Sequence, residues 1–420
     1  MKGVHFFYIF MRKRRFLPLK VNLMLFSPVS VFLGLANLTY ACLNLQLLKG
    51  LGNLVRRKSS NQSSASVNQA PSIPNTPTIP SVTVLIAARN EELRITKCLD
   101  CLMIQDYDPS RLQIIIVDDR SEDGTAAVLK TYSERWPGRL TLVTVTETSS
   151  HTSPKKFALA RGLEQATGEI VVTTDADCIM SKAWISSLVT EFSEDTGLVL
   201  GMTSYYSMGK EDWAWGSQAL EFISYGVVAA GLVGLHFPVH GNANNIAYRR
   251  RAYAEAAGFA SHSNIVSGDD DFLIQSIHKL GRWKIRYSVH PESQVQTEPP
   301  LSMGLFWEQR KRWASKCSLY EPKQTAFLAV IFGYYSLIPA CMLLGLFDRP
   351  YLYLGLVSFG VKTGTDYLVM RKGLGIFSKQ ELMQWFPVTC LIHIPLIIGA
   401  VLAGSFGEFT WKGQRVRRKV

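Results

Sequence analysis

The apolar positions of this chain fall into two textures. Toward its ends lie long runs almost free of charge. Val21 to Leu48 carries no charged residue in 28 positions, more than the roughly 20 needed to cross a bilayer core. Thr325 to Phe347, Tyr351 to Met370 and Phe386 to Phe406 repeat the pattern. The third of these four runs contains Lys362 and Asp366, four residues apart and so on one helical face. There they can pair, which lowers the cost of ionisable groups in lipid. In the middle of the chain the texture changes to short β-branched runs alternating with helical patterns. VTVLIA at 82–87, LQIIIVDD at 112–119, LTLVTV at 140–145 and EIVVTT at 169–174 predict strands, with helix-compatible segments near 91–103, 123–135, 157–166 and 182–194. Alternation at this spacing predicts an α/β unit with a parallel sheet covered on both faces, its ligands bound outside the carboxyl ends of the strands.

The expected organisation is a basic N-terminal segment at 1–20, a transmembrane helix at 21–48, a polar Pro/Ser-rich linker at 49–81 and the α/β domain at 82–320, with an interfacial helix at its end. A C-terminal transmembrane region of about three spans at 325–406 and a basic tail at 407–420 follow. Residues 59–81, SSNQSSASVNQAPSIPNTPTIPS, read as a solvated tether. A cleaved signal peptide is the weaker reading of the first span, because the apolar stretch is too long and Arg56, Arg57 and Lys58 follow it. With 47% hydrophobic and 19% charged residues, the chain is neither disordered nor fibrous.

The net charge of +12 could suggest nucleic acid, but its distribution argues against that. Ten basic and no acidic residues in 1–58, with five more basic residues in 412–420, leave the stretch between them at −3. Basic residues flanking apolar segments are drawn to anionic lipid surfaces, so the partner is a membrane and not nucleic acid. Basic clusters lie on both sides of the first span, and three later spans would set the basic tail opposite the central domain. One C-terminal segment is therefore a candidate for a re-entrant or interfacial helix. Seven cysteines without paired spacings favour a reducing compartment, and Cys98 and Cys101 read as packing residues.

Two predicted strands end in acid pairs, Asp118 with Asp119 and Asp175 with Asp177. One such carboxylate is commonly a turn or helix cap. Two pairs on one sheet edge point instead to a ligand. In Asp175-Ala176-Asp177, alternate spacing lets two hard oxygen ligands address one divalent cation while leaving positions for phosphate oxygens.

The runs SVTVLIAARNEE, IIIVDDRSEDGT and PKKFALARGLEQATGEIVVTTDADC resemble the nucleotide-binding half of the family 2 glycosyltransferases, inverting enzymes of the Rossmann-like GT-A fold that use nucleotide-diphosphate sugars. The resemblance continues through NANNIAYRR at 242–250, SGDDDFL at 267–273 and QRKRW at 309–313, and so covers about 82–320. It implies that Ala88, Arg89 and Glu91 border the nucleotide and that Asp118 and Asp119 match the acid meeting base or ribose, Asp119 being the preferred contact. Lys155 matches a phosphate-facing lysine, although Pro154 replaces the family's glycine. Asp175 and Asp177 match the metal-binding DxD, for Mg2+ or Mn2+.

Asp269 stands in place of the family's catalytic-pair glutamate and Asp270 in place of its base, a third acid, Asp271, leaving the register open by one residue. Three adjacent carboxylates repel, which raises the pKa of at least one and suits a base; a capping cluster ahead of the helix from Phe272 is the alternative. Gln309, Arg312 and Trp313 fit the QxxRW pattern of membrane-embedded members. There Trp313 can stack on a sugar and Arg312 can meet phosphate oxygens. The surrounding segment also describes an interfacial helix. Trp213, Trp215 and the run from Phe222 to Phe237 read equally as an acceptor path or a buried helix, and His236 and His240 as structural.

The expected protein is thus an integral membrane glycosyltransferase of the inner or plasma membrane with a cytoplasmic catalytic domain. It would move a sugar from a nucleotide-diphosphate sugar, a UDP-sugar by resemblance, to a lipid or lipid-linked acceptor. A processive polysaccharide synthase, with a saccharide acceptor, is the alternative enzyme. A catalytically silent scaffold is the non-enzymatic one.

Overall fold

The β-branched runs form strands where the alternation predicts them: β1 (Val82–Ala88), β2 (Leu112–Asp119), β3 (Leu140–Val145) and β4 (Ile170–Thr173). The computed structural model describes residues 28–65, 79–147, 153–209, 211–259, 265, 268–411 and 414–417. The basic segment 1–20, the start of the 21–48 span, 66–78 of the tether, Ser267 and residues 412, 413 and 418–420 of the basic tail lie outside the described residues. Later strands are β5 (Ile179–Met180), β6 (Thr196–Leu200), β7 (Thr203–Tyr205), β8 (Ile246–Arg249), β9 (Lys284–Tyr287), β10 (Val295–Thr297), β11 (Glu408–Trp411) and β12 (Gln414–Arg417). The helices are α1 (Pro28–Ala65), α2 (Ile95–Met103), α3 (Thr125–Arg135), α4 (Pro154–Leu163), α5 (Trp184–Val189), α6 (Trp213–Gly234), α7 (Arg250–Glu255), α8 (Asp271–Lys279), α9 (Met303–Ala314), α10 (Pro322–Leu344), α11 (Arg349–Ile376) and α12 (Phe386–Phe406).

Seven strands make the main sheet in the order β3-β2-β1-β4-β8-β6-β9. The first four are parallel, and β1 and β2 are almost wholly buried, as the Val/Ile/Leu runs of a sheet covered on both faces require. The expectation of an all-parallel sheet is corrected at β8, which runs antiparallel to both β4 and β6. Its first residue pairs with the last of β4, Ile246 with Thr173. The turn before β8, Asn242 to Asn245, is thereby delivered to the carboxyl edge of the sheet, beside the DxD acids. A smaller sheet has the order β5-β10-β7.

The chain forms two compact units. One contains described residues 28–46 with 326–369, that is the first half of α1, all but the first turn of α10 and most of α11. Inside it Lys362 Nζ lies 3.0 Å from Asp366 Oδ2, so the expected pair forms. The Tyr40 hydroxyl donates to Asp366 Oδ1 at 2.6 Å and lies 3.0 Å from the Tyr335 hydroxyl. Tyr334 donates to Asn37 Oδ1 at 2.8 Å. The other unit contains both sheets, the second half of α1, and α12, which packs along α6 and α9.

Several expected boundaries change. Helix α1 continues to Ala65, through the first part of the expected tether. The apolar stretch 325–406 does not form one body, since α12 belongs to the unit of the sheets. The tail forms the hairpin β11–β12 where it is described. Among the described residues, four helical stretches are long and apolar enough to cross a membrane: Pro28–Arg57, Trp213–Gly234, Pro322–Leu344 and Gln380–Phe406. Helix α11 is not among them, and its interior carries Lys362 and Asp366. Helix α6 is mostly buried against its own unit, which makes it a core helix on packing grounds.

Helix α4 is seated on β1 and β2 through Gly162, where an added Cβ would come within 2.4 Å of Leu85 Cδ1 and 2.8 Å of Val117 Cγ2. Gly162→Val should therefore overpack this contact and cost about 1–3 kcal/mol, read as a lowered Tm of the detergent-solubilised protein.

Candidate active site

The loops after β1 and β2 are held in sparsely populated backbone conformations. Asn90 and Arg120 adopt φ of +54° and +56°, a left-handed region costly for such residues. Hydrogen bonds between the loops hold them there. Asn90 N–H donates to Ser121 Oγ at 3.1 Å, Glu122 N–H to Asn90 Oδ1 at 2.9 Å, and Glu91 N–H to Thr125 Oγ1 at 2.8 Å. Ala88, Arg89, Glu91 and Asp119 consequently line one cavity of about 240 Å3. Asp118 does not line it. Its Oδ1 accepts the Ser121 N–H at 3.2 Å, the turn-capping role that was the alternative reading of a strand-end acid. Asp119 Oδ1 accepts Arg120 Nε at 2.8 Å.

Asp175, Asp177 and Lys155 line the same cavity. Burial, then Asp175 and Glu91, push the Asp177 carboxyl up to about 6. Its Oδ2 accepts from Thr297 Oγ1 at 3.1 Å. Lys155, on the first turn of α4, places Nζ 2.8 Å from Asp175 Oδ1 and 3.2 Å from Asp269 Oδ2. It thus bridges the strand-end acids and the acid run. Burial would lower the Lys155 pKa, but the two carboxylates outweigh it and the pKa is raised.

The three consecutive acids take three different environments. Burial works to raise Asp269, but Lys155, Lys316 and Lys156 outweigh it and hold the carboxyl below its ordinary value. Asp270 is pushed up to about 6, first by burial and then by Asp271. Its Oδ2 accepts Ala243 N–H at 3.1 Å and its Oδ1 accepts Asp271 N–H at 2.8 Å. Asp271 is turned away from the cavity, accepting from Gly241 N–H at 3.1 Å, from the Tyr320 hydroxyl and from Lys316 Nζ at 2.6 Å. Asp269 and Asp270 line the cavity. The capping role also exists, because Asp270 is the N-cap of α8.

Helix α9 presents Gln309, Arg312 and Trp313 to the cavity. Arg310 faces the other way, 2% exposed, with Nε 2.9 Å from Glu221 Oε1 and its guanidinium over the rings of Phe306 and Trp313. This buried pair fastens α9 to α6. Trp313 stacks near Phe222, which stacks on Tyr205 at 4.2 Å, giving the cavity an aromatic wall. His240 Nε2 lies 3.0 Å from Tyr225 O, and neither His236 nor His240 lines the cavity.

Sequence reasoning missed Lys316, Thr297 and Glu298, all cavity residues. Lys316 stands four residues after Arg312, the spacing of one helical face, which was the available signal. Thr297 ends a three-residue strand without pattern, and Glu298 follows it. Lys156 was also missed. It is 1% exposed, its Nζ donates to Ile265 O at 3.0 Å, and burial lowers its pKa to about 8.

The donor chemistry fits a divalent cation. Two hard carboxylates lie with Glu91 in one cavity, and burial, then Asp175 and Glu91, raise the Asp177 carboxyl. Among the described residues no group of three or more His, Cys, Asp or Glu is arranged to hold a metal by itself. Two carboxylates with the remaining positions given to substrate oxygens and water is the arrangement magnesium sites use.

Residues 83–257 match the family model described as Glycosyl transferase family 2. Among curated relatives, a beta-monoglucosyldiacylglycerol synthase of Synechocystis sp. is 30% identical over 241 residues, which are 56% of this chain and 47% of the relative. A poly-beta-1,6-N-acetyl-D-glucosamine synthase of Staphylococcus aureus is 25% identical over 254 residues, 59% of this chain and 57% of the relative. The chain spans about half the length of these relatives. A solved mannosyltransferase, PcManGT from Pyrobaculum calidifontis in complex with GDP-Man and Mn2+, aligns at 18% identity and a TM-score of 0.47, over 87% of this chain and 98% of that one.

Because Glu221 is as buried as Arg310, truncating one partner leaves a charge without its counter-ion. Arg310→Ala should cost about 3–5 kcal/mol of stability, and Arg310→Met with Glu221→Leu far less, compared by thermal unfolding in detergent.

Proposed function

We propose that this protein is a membrane-bound inverting glycosyltransferase of GT-A type. It transfers a sugar from a nucleotide-diphosphate sugar, preferably a UDP-sugar, to a lipid or lipid-linked acceptor. The observation that carries this reading is that Asp119, Asp175 and Asp177 share one cavity with Asp269, Asp270, Arg312 and Trp313. The family 2 domain at 83–257 supports the donor half of it.

In the proposed step the acceptor hydroxyl oxygen attacks the anomeric carbon, the bond from that carbon to the diphosphate breaks, and the hydroxyl proton passes to Asp270. Asp270 lines the cavity and its pKa near 6 leaves it ionised at neutral pH yet basic enough to accept a proton. Arg89, Glu91 and Asp119 border the nucleotide. Asp175 and Asp177 would hold Mg2+ or Mn2+, which when bound neutralises the leaving diphosphate. Lys155 and Arg312 supply further positive charge to the departing oxygens. Gln309 and Trp313, beside Tyr205 and Phe222, form the face on which the acceptor rests.

The proposed location is the inner or plasma membrane, with the catalytic unit cytoplasmic. Support comes from the apolar helices Pro28–Arg57, Pro322–Leu344 and Gln380–Phe406 and from the basic residues flanking the first of them. A processive polysaccharide synthase is the second reading, favoured by the cavity position of Gln309, Arg312 and Trp313 and by the poly-N-acetylglucosamine synthase relative. Incubating the purified protein with nucleotide sugars, lipid acceptors and Mg2+ or Mn2+ tests both. One added sugar supports the first reading, a ladder of long chains the second, and no transfer from the whole panel counts against either.

Three outcomes are expected. Asp270→Asn lowers turnover by about 10²- to 10⁴-fold while donor binding persists. In the wild type, kcat/KM falls about tenfold per pH unit below pH about 6, as the raised Asp270 carboxyl becomes protonated and can no longer act as a base. Asp177→Ala abolishes metal-dependent nucleotide binding in titration calorimetry, and unchanged affinity would contradict the metal assignment.

A further inference from the structure

Lys316 lies two residues beyond α9 and is 7% exposed. Its stem runs beneath the loop that carries the acid run. Gly268 adopts φ of +86°, and a Cβ there would stand 3.1 Å from Lys316 Cδ, so glycine lets the loop settle on the lysine. Nζ reaches Asp271 Oδ2 at 2.6 Å and Asp270 Oδ1 at 3.4 Å. Asp271 is held from several sides and faces away from the cavity, whereas Asp270 faces into it. The ammonium is therefore anchored by one acid and aimed at the other.

This arrangement has a consequence for charge. One lysine between two carboxylates carries a local charge of −1, and protonation of Asp270 brings it to zero while the Lys316–Asp271 pair stays intact. Other groups face Asp270 as well. They are Asp269 and Asp271 beside it, Lys155 and Lys156 from α4, Arg312 from α9, Tyr320 beyond it, and the backbone N–H of Ala243. Lys316 holds its ammonium within ion-pair distance of an Asp270 oxygen.

We propose that Lys316 is a positioning residue for the proton-accepting step, orienting the Asp270 carboxylate toward the acceptor and keeping it ionised until the acceptor's proton arrives. The proposal rests on the assignment of Asp270 as the base. No further reactant is needed: the proton moves from the acceptor hydroxyl to Asp270, and Lys316 keeps its own protons throughout.

The test compares wild type with Lys316→Met, Lys316→Gln and Lys316→Arg in full-length protein. It uses the pH dependence of kcat/KM for transfer from the donor that the panel identifies, with donor affinity by calorimetry as the folding control. Removal of the charge in Lys316→Met or Lys316→Gln should move the acid limb upward by about one unit or more. Rate should be regained at higher pH, and Lys316→Arg should keep the wild-type limb. A uniform loss at every pH with an unmoved limb overturns the proposal. So does loss of donor binding and of the folded state in both neutral variants, since the role is then structural support. A readout independent of turnover is the carboxyl stretch of protonated Asp270 in difference infrared spectra, identified by its absence in Asp270→Asn. Its midpoint should lie at higher pH in Lys316→Met, and an equal midpoint overturns the proposal. The two assignments fail separately: an Asp270→Asn protein with wild-type turnover removes the base, whereas an inactive Asp270→Asn with an unmoved limb in Lys316→Met removes only the part given to Lys316.

Discussion

Five aspartates, 175, 177, 269, 270 and 271, crowd the carboxyl edge of the sheet, and Asp270 and Asp271 are almost entirely withdrawn from water. Buried carboxylates of like sign destabilise one another unless cations or hydrogen-bond donors answer them. Lys155 and Lys316 do this as bridges, each shared by two acids. Sharing is what separates the acids chemically. Asp269, facing several cations, is held below its ordinary value, while burial and then neighbouring carboxylates push Asp177 and Asp270 up to about 6. On the proposed reading, a cation answers the buried charge of Asp177 and a substrate proton that of Asp270.

The scaffold beneath these acids is rigid where it has to be. Strands β1, β2 and β4 lie in the apolar core and end at the cavity, and left-handed turns at Asn90 and Arg120 are pinned to each other across the strand ends. Antiparallel β8 brings a backbone N–H of its preceding turn to Asp270. From the other side α9 is fixed by the buried Arg310–Glu221 pair, so its cavity-facing residues project from a helix whose rear is locked. A site built on strand ends and an anchored helix keeps its geometry better than one carried on loops alone.

The first half of the sheet was legible because β1 to β4 are continuous β-branched runs, and burial of β1, β2 and β4 on both faces leaves such runs no other use. Strands β6, β8 and β9 are short and carry mixed residues, such as IAYR and KIRY, whose pairing is set by tertiary neighbours. The direction of β8 could not be read from a local pattern at all. At the cavity, acids stood out by their position after strands, and twelve of the thirteen residues named from sequence line it. Asp118 is the exception, because a strand-end carboxylate serves equally well to cap a turn. Lys316 escaped because a lysine's role depends on which acids fold back over it, some 45 residues earlier in the chain. The tether was drawn too long for a similar reason: Ser, Asn and Gln mark flexible chain by composition, yet a helix already established in α1 carries the first of them onward to Ala65.

Helix α11 has a bearing on how the polypeptide is made. Among the described residues α11 is not one of the helices apolar enough to cross a membrane, and were it to lie in lipid, Lys362 and Asp366 would each oppose insertion by roughly 2.5–3.5 kcal/mol at mid-bilayer. The hydroxyl that completes the Asp366 carboxylate belongs to Tyr40, more than 300 residues upstream. On the proposed membrane reading, Asp366 would therefore gain its hydroxyl partner only once helices from opposite ends of the message have both been synthesised.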